Sequence, residues 1–429
     1  MLSRWCFIFL TLYVMDAVLG RDLEEIFAWK QLSFENHQTP SASDFIFMDN
    51  GMMPFIPYNN VPMGVTHHKG RLFITIPRRR SGVPSTLNVI SLASASVTKS
   101  PQLRPYPDFE RNDINSSLPM EERIISVYRS KMDTCDRLWF ADTGRHEYLN
   151  TTVHTHSPTL WAIDTNTDRV VKRFPFPREA LEQGAGTISL VVDIPNERDC
   201  GGAFVYIPDL VNGRIYVYSL RENRMWTFIH NYFRMDPHHG DLTIAGHQFQ
   251  WDDGIFSIAL GRRNSQGYRT AYFHPMISLE EFAVSTAVLR NESLARREYH
   301  GDDFRLLGKR GDNKQSTLHG FDETTGVMFY AEIGRNAVGC WNTDKVFAPE
   351  NFDTVKQDKD FFIYPSDLSV DNSGRLWVLT NTMPRWLYSR LNINKVNFRV
   401  WSATTKKAIQ GTVCEHETSP TSFRVEQFF

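Results

Sequence analysis

The sequence predicts an all-β protein, a six-bladed β-propeller in a single domain. The first observation is a repeated stretch in which a Gly or Asp turn precedes four to six aromatic and β-branched residues, the pattern of a buried strand bounded by turns. The copies begin 48 to 73 residues apart, which leaves room for one four-stranded blade and its loops. Ten Trp and thirty Phe residues suit sheet faces that pack against each other. The six copies are CDRLWFADTG (135–144), GRLFITIP (70–77), GAFVYIPD (202–209), DGIFSIAL (253–260), GVMFYAEI (326–333) and GRLWVLTN (374–381).

The N-terminus has the pattern of a signal peptide, predicted here as residues 1–20. Arg4 precedes an apolar run from Trp5 to Met15, and small residues lead to a cleavage position after Gly20. The run is too short to span a membrane, and no later stretch approaches eighteen apolar residues. We therefore expect residues 21–429 to be secreted and extracellular, without membrane contact.

Charge and composition argue against a nucleic-acid partner. The formal net charge is −2, and acidic and basic residues are mixed along the chain. The three arginines at 78–80 form a short basic run that a solvated loop explains. We expect a monomer with a small-molecule partner.

Four cysteines remain after removal of the predicted signal peptide, and an even number in an oxidising compartment favours disulfides. Cys135 and Cys200 each lie just before or within a copy of the repeat, so neighbouring blades would hold them at similar height. This placement predicts a Cys135–Cys200 disulfide and, by elimination, Cys340–Cys414.

Three Asn-x-Ser/Thr sequons fall in polar segments between the repeated strands. They predict surface glycosylation at Asn115, Asn150 and Asn291.

The remaining elements follow from the chain order. Residues 23–30 suit a short helix or a strand, and Phe27, Trp29 and Phe34 favour an N-terminal strand that closes the ring against the last blade. Residues 279–289 fit a helix or a strand equally well. Blade 2 is predicted on residues 126–144, with an outer hairpin at 160–174, and blade 3 extends from 189 to 229. In blade 4 we predict the inner strands in 247–260 and an outer strand at 268–276. Blade 5 is predicted at 317–341 and blade 6 at 367–383.

Polar residues stand at the exits of four repeated strands: Asp142, Asp209, Glu332 and Asn381. In a propeller these exits converge at one face, where ligands bind. Asp and Asn after a strand are also ordinary turn formers, so both interpretations stay open.

The histidine-rich positions do not predict a metal site. Adjacent residues in a strand point to opposite faces, so His67 and His68 cannot easily chelate one ion, and the same holds for His238 and His239. We expect no metal and no organic cofactor. His67 stays a candidate because it flanks an inner strand.

Several motifs resemble the Yellow/major royal jelly protein family of insects. They include CDRLWFADTG, LRPYPDF, HQFQWDDGIFSIAL, YFHPMISLEEFAVSTAVLRN and LWVLTNTMP, and the resemblance extends from about Phe27 to Cys414. It implies a secreted six-bladed propeller, which agrees with the repeat count. The chain looks most like the dopachrome-converting branch, which implies an isomerase of melanin formation.

The resemblance also implies a ligand site. Amine-binding members place an aromatic residue, a small hydroxyl residue and an asparagine around the ligand, and the corresponding residues here are Tyr364, Ser366 and Asn381. For catalysis, the candidates for the base are Asp142 and His67, with Asn381 as a donor to the substrate's oxygens.

Two further function classes stay open. One is a non-catalytic protein, which either binds biogenic amines such as dopamine or serotonin or is a structural component of cuticle or eggshell. The other is a calcium-dependent hydrolase, which would need convergent oxygen ligands such as Asp142, Asp209 and Asn381.

Overall fold

The computed structural model describes residues 23–35, 55–147, 152–177 and 186–415. Six four-stranded antiparallel sheets form the blades of a propeller, so the predicted fold is confirmed. The ring closes through β1 (Glu24–Trp29), which pairs with β28 (Phe398–Thr404) as the outer strand of blade 6. The N-terminal strand is therefore confirmed for Phe27 and Trp29, whereas Phe34 lies beyond it in an isolated bridge with Leu103, and the helical alternative is wrong. The predicted signal peptide and the Asn150 sequon lie outside the described residues.

The blades follow one another along the chain, each running from an inner to an outer strand. Blade 1 contains β2 (Gly64–His68), β3 (Arg71–Thr75), β4 (Leu87–Ser91) and β5 (Arg104–Pro105). Blade 2 contains β6 (Val127–Met132), β7 (Arg137–Asp142), β10 (Thr159–Asp164) and β11 (Arg169–Pro175). Blade 3 contains β12 (Val191–Asp193), β13 (Phe204–Asp209), β14 (Arg214–Ser219) and β15 (Arg224–Ile229).

The second half of the ring has the same order. Blade 4 contains β18 (Ile255–Arg263), β19 (Arg269–Pro275), β20 (Glu280–Ser285) and β21 (Phe304–Lys309). Blade 5 contains β22 (Ser316–Asp322), β23 (Val327–Glu332), β24 (Ala337–Asn342) and β25 (Phe352–Gln357). Blade 6 contains β26 (Pro365–Val370), β27 (Arg375–Thr380), β28 and β1.

The connections carry short elements of their own. Two small hairpins are β8 (Arg145–His146) with β9 (Val153–His154), and β16 (Asp241–Ile244) with β17 (His247–Gln250). The short helices are α1 (Phe109–Asn112), α2 (Thr286–Leu289), α3 (Glu292–Ala295), α4 (Met383–Tyr388) and α5 (Thr405–Ile409). Over the described ranges, no helix combines the length and apolar character needed to cross a membrane.

Five of the six repeated stretches form the second strand of their blade, whereas 253–260 forms the innermost strand of blade 4. This offset explains the errors in the prediction of blade 4. Residues 247–250 form a separate hairpin strand instead of an inner strand, and 268–276 supply the second strand instead of the outer one. Residues 279–289 contain both alternatives, a strand followed by a helical turn.

A repeated Asp turn explains why two copies carry the sequence Arg-Leu-Trp. Asp133 accepts hydrogen bonds from the backbone of Cys135 and Arg137, and its other oxygen accepts one from the Trp139 indole at 2.8 Å. Asp371 binds Ser373, Arg375 and the Trp377 indole in the same way. Because each indole is buried, its N–H needs a partner, and the Asp supplies one.

Two disulfides join neighbouring blades. Cys135 is bonded to Cys200, which links blades 2 and 3, and Cys340 is bonded to Cys414, which links blade 5 to the segment that follows blade 6. Both pairings agree with the prediction.

Candidate functional site

A cavity of about 430 Å³ lies at the face of the ring where the second strands end and the inner strands begin. The segments that enter the inner strands supply its floor, through residues such as Met63, Arg129 and Tyr364. Loops that follow second strands supply its walls, including Arg79, Thr143, Leu210 and helix α4. Five blades therefore contribute to one site, as the convergence of strand exits predicts.

Aromatic side chains form one side of the cavity. The ring of Trp251 meets Tyr364 edge to face at 5.9 Å between centroids, and its indole N–H donates to the Tyr388 hydroxyl at 2.6 Å. Phe249 of β17 stacks on Tyr388 at 4.6 Å. Hairpin β16–β17 and helix α4 thus meet at this wall, which can pack against a flat aromatic ligand.

Asp253 is the ionisable residue best suited to proton transfer in this cavity. It lies two residues before the inner strand of blade 4 and is half-buried. Burial raises the pKa of Asp253 to about 6, and the neighbouring charge of Asp252 adds to this, against the opposing charges of Arg79 and Arg129. A carboxylate with a pKa near the working pH can act as a general base or acid.

Arg129 brings a buried positive charge to the floor of the cavity. Its Nη2 donates to the Ser366 carbonyl at 2.5 Å, its Nε lies 3.6 Å from Asp367 Oδ1, and its guanidinium lies 4.9 Å from the Phe256 ring centroid. Burial lowers the pKa of Arg129, and the Asp367 charge counteracts this effect. Because Arg129 is held from several sides, it presents a preorganised cation to a ligand.

Tyr364 lines the cavity, as the sequence prediction requires of a ligand-binding residue. Its φ of 51° is in the left-handed region, which is strained for a bulky residue and costs on the order of 1–3 kcal/mol. The Asn336 side chain accepts a hydrogen bond from the Tyr364 N–H at 3.0 Å and helps to hold this conformation. Burial raises the pKa of the Tyr364 phenol, so the hydroxyl stays protonated and can donate.

Ser366 and Asn381 are close in sequence to cavity residues. Within the part of the chain that the structure describes, however, neither of them lines the cavity. Both are completely buried. The Asn381 amide donates to the Pro62 carbonyl at 2.8 Å and contacts the Met63 sulfur at 3.3 Å, while its oxygen accepts from the Met383 N–H. Asn381 therefore positions two methionines of the cavity, and Ser366 holds Arg129 through its carbonyl.

Asp142 and His67 are not brought together, and neither lines the cavity. The buried Asp142 carboxylate accepts the N–H groups of Ile125, Ser126 and Gly144 at 2.7 to 2.9 Å. His156 Nε2 lies 3.3 Å from its Oδ2. Burial opposes charge on this imidazole, but the hydrogen bond that the ring donates to Asp142 and the Asp142 charge raise the pKa of His156 to about 9. Asp142 thus ties the end of β7 to the start of β6.

His67 lies where β2 ends, at the opposite end of the ring from the cavity. Its Nδ1 is 2.6 Å from Asp371 Oδ2, and its ring stacks on Trp377 at 4.6 Å. It belongs to the second Asp turn described above.

Two other strand-exit residues also serve the loops. Asp209 accepts from the N–H groups of Gly186, Val211 and Asn212, and Glu332 pairs with Arg335 at 2.8 Å. The turn-forming interpretation therefore describes Asp142 and Asp209 well.

The sequence also contains a signal for Asp253, which is not a strand-exit residue. Among the six copies, only the one in WDDGIFSIAL has two adjacent acidic residues, Asp252 and Asp253, before its apolar strand residues. In blade 4 that stretch is the innermost strand, so its entrance, not its exit, lies at the cavity face.

Fold and site together define a class, a six-bladed propeller with a cavity of about 430 Å³ at one mouth of its ring. The family model described as major royal jelly protein matches residues 125–414. This chain belongs to that family, as its motifs indicate.

Individual relatives cover most of the chain. L-dopachrome tautomerase yellow-f of Drosophila melanogaster is 46% identical over 413 residues, which cover 92% of this chain and 95% of that protein. Protein yellow of the same species is 35% identical over 413 residues, covering 96% of this chain and 74% of that protein. Among solved structures, virginiamycin B lyase from Staphylococcus aureus matches with a TM-score of 0.42 and 10% identity, over 80% of this chain and 95% of that one.

Proposed function

We propose that this chain is a secreted tautomerase that converts dopachrome-type aminochromes during melanin formation. The observation that carries the proposal is Asp253, a half-buried carboxylate with a raised pKa, facing a cavity that also holds arginines and an aromatic wall. The name of the relative that is 46% identical supports the same reaction.

Tautomerisation breaks a C–H bond at the saturated ring carbon and forms an O–H bond on a quinone oxygen, where negative charge develops before the proton arrives. In the proposed mechanism the ionised Asp253 removes this proton as a general base, and Arg129 and Arg79 stabilise the developing negative charge. In this mechanism the Tyr364 hydroxyl, which stays protonated, donates a hydrogen bond to a substrate oxygen. The aromatic wall of Trp251 and Tyr364 packs against the planar ring system.

The N-terminal pattern supports secretion, and the two disulfides fit an oxidising compartment. Asn115 and Asn291 are exposed, which suits the proposed glycosylation. These properties agree with an extracellular site of action.

A second candidate function is binding of a biogenic amine without turnover. Asp252 and Asp253 beside the rings of Trp251 and Tyr364 favour it, because a protonated amine binds well to carboxylates and aromatic faces. Calorimetry with dopamine and serotonin tests this alternative.

The decisive experiment mixes the purified secreted protein with L-dopachrome and, separately, with dopaminechrome, and follows bleaching of the coloured aminochrome. We expect a rate well above the spontaneous one and proportional to protein concentration. Heat-denatured protein at equal concentration is the control. A folded protein that leaves the spontaneous rate unchanged but binds amines saturably would replace the tautomerase with the binding protein.

A further inference from the structure

A second group of titratable side chains lies away from the cavity, at the contact of blades 4 and 5. It consists of His274 on β19, Glu281 on β20 and His319 on β22, here called the blade 4–5 cluster. All three side chains are completely buried. None of them lines the cavity, so the proposed reaction does not use them.

The two imidazoles converge on the two oxygens of a single carboxylate. His274 Nδ1 lies 3.1 Å from Glu281 Oε2, and His319 Nε2 lies 3.3 Å from Glu281 Oε1. The possible ligand atoms all lie within 4.8 Å of one another. Donors around a tetrahedral ion with bonds of about 2.0–2.1 Å are spaced by about 3.3 Å. The nitrogen–oxygen spacings of the cluster match this value.

The hydrogen bond on the far side of His274 determines what its Nδ1 presents. His274 Nε2 lies 3.2 Å from the Ser316 carbonyl, which can only accept, so Nε2 carries the hydrogen. In the neutral imidazole, Nδ1 then points a lone pair at Glu281 Oε2. Two acceptors at 3.1 Å repel each other, and a cation between them converts this repulsion into attraction.

His319 has a similar arrangement. Its Nδ1 lies 2.6 Å from Ser257 Oγ, an oxygen that can accept the ring hydrogen and leave Nε2 as a ligand. His319 Nε2 and Glu281 Oε1 have no hydrogen-bond partner among the described residues, although both are buried. Buried polar atoms are rarely left unsatisfied, so these two atoms point to a ligand between them.

Arg310 completes the surroundings of the carboxylate. Its Nη1 donates to Glu281 Oε2 at 2.8 Å, and its guanidinium also donates to the carbonyls of Lys314, Glu280 and Ser278. Its positive charge opposes a nearby cation, but these carbonyls offset part of that charge. Hydrogen bonds that orient each ligand from outside are the usual second layer of a metal site.

We propose that the blade 4–5 cluster binds one Zn²⁺ ion through His274 Nδ1, His319 Nε2 and the carboxylate of Glu281. Imidazole and carboxylate are both ligands that zinc accepts. The ion would join blade 4 to blade 5, in the way that disulfides join blade 2 to blade 3 and blade 5 to the C-terminal segment.

The test measures zinc in the full secreted chain by mass spectrometry of the element. Purified protein is incubated with excess Zn²⁺ and dialysed against metal-free buffer, beside His319→Gln and the control His156→Gln, which removes a partly buried histidine of the loop between β9 and β10. We expect about one zinc per chain in the wild type and in His156→Gln, and at least a tenfold loss in His319→Gln. Addition of Zn²⁺ to chelator-treated wild type is expected to raise its melting temperature.

Wild-type protein that retains no zinc after dialysis overturns the proposal. The two imidazoles and the Glu281 carboxylate would then be held together by a shared proton. Equal zinc in wild type and His319→Gln overturns it as well, because the ion then binds elsewhere. If His319→Gln does not fold, the visible bands of Co²⁺-loaded wild type decide, since four-coordinate N/O ligation gives intense bands and hexahydrated Co²⁺ does not. Weak bands of the hydrated ion would contradict the site.

Discussion

The cavity and the blade 4–5 cluster both contain several charged residues, but these residues differ in their exposure and in how closely they are paired. In the cavity, Asp253 is half-buried and faces Arg79 and Arg129 across a space that admits a ligand. In the cluster, Glu281 and Arg310 have no exposed surface and contact each other directly at 2.8 Å. Charges that face a space are available for chemistry, whereas charges that are sealed and paired contribute to the stability of the ring.

The largest expected effect separates the two sites by activity. Asp253→Asn removes the proposed base, and we expect the enzyme-dependent rate with L-dopachrome to fall roughly 10²- to 10⁴-fold, the usual contribution of general base catalysis. Stopped-flow absorbance measures this rate. Asp252→Asn is the matched control and is expected to keep most of the activity. Equal losses in both variants would contradict the assignment of the base to Asp253.

Asp253→Asn is not expected to weaken the fold. Because the pKa of Asp253 is raised from 3.8 to about 6, the folded protein holds this proton more tightly than the unfolded chain does. The resulting stabilisation is present at low pH and is lost as the pH rises through about 6. At pH 7 Asp253 is ionised and no longer makes this contribution, so its replacement by Asn is not expected to lower the free energy of unfolding.

The second prediction concerns stability and the cluster. Glu281→Gln leaves Arg310 buried without its charged partner, and we expect the free energy of unfolding to fall by about 3–5 kcal/mol. Denaturant titration measures the change. Glu323→Gln, which breaks the pair of a 55% exposed carboxylate with Arg269, is the control and is expected to cost less than about 1 kcal/mol. Similar losses in the two variants would show that burial of the pair is unimportant.

The third prediction uses pH to sharpen the role of the cavity. A base with a pKa of about 6 must be ionised to act, so kcat/KM is expected to fall about tenfold for each pH unit below 6 and to level off above it. Rates corrected for spontaneous rearrangement between pH 4.5 and 8 give this profile. In Asp252→Asn the midpoint is expected to move to lower pH, because the Asp252 charge helps to raise the pKa of Asp253. A midpoint that stays in place would remove Asp252 from this role.

Much of the fold could be predicted because its signals are local. Alternating apolar strands, the Gly and Asp turns between them and their regular recurrence depend on neighbouring residues, and they predicted six blades. The positions of Cys135 and Cys200 beside repeated strands predicted their pairing. The order of strands in blade 4 was wrong because one repeated stretch, 253–260, occupies the first position in its sheet, and strand pairing is not a local property.

The sequence by itself determined the family, the six blades and the closing N-terminal strand, and it selected Tyr364, which lines the cavity. Only the tertiary structure decided which polar residues face the cavity. Asp142 and Asp253 look alike in sequence, but the Asp142 carboxylate is taken up by three backbone N–H groups, whereas Asp253 lies in the cavity. Likewise, His274, Glu281 and His319 come from three separate strands and meet only when blades 4 and 5 pack. Access to solvent and the available hydrogen-bond partners determine the chemistry of each group, and both depend on contacts between residues far apart in the chain.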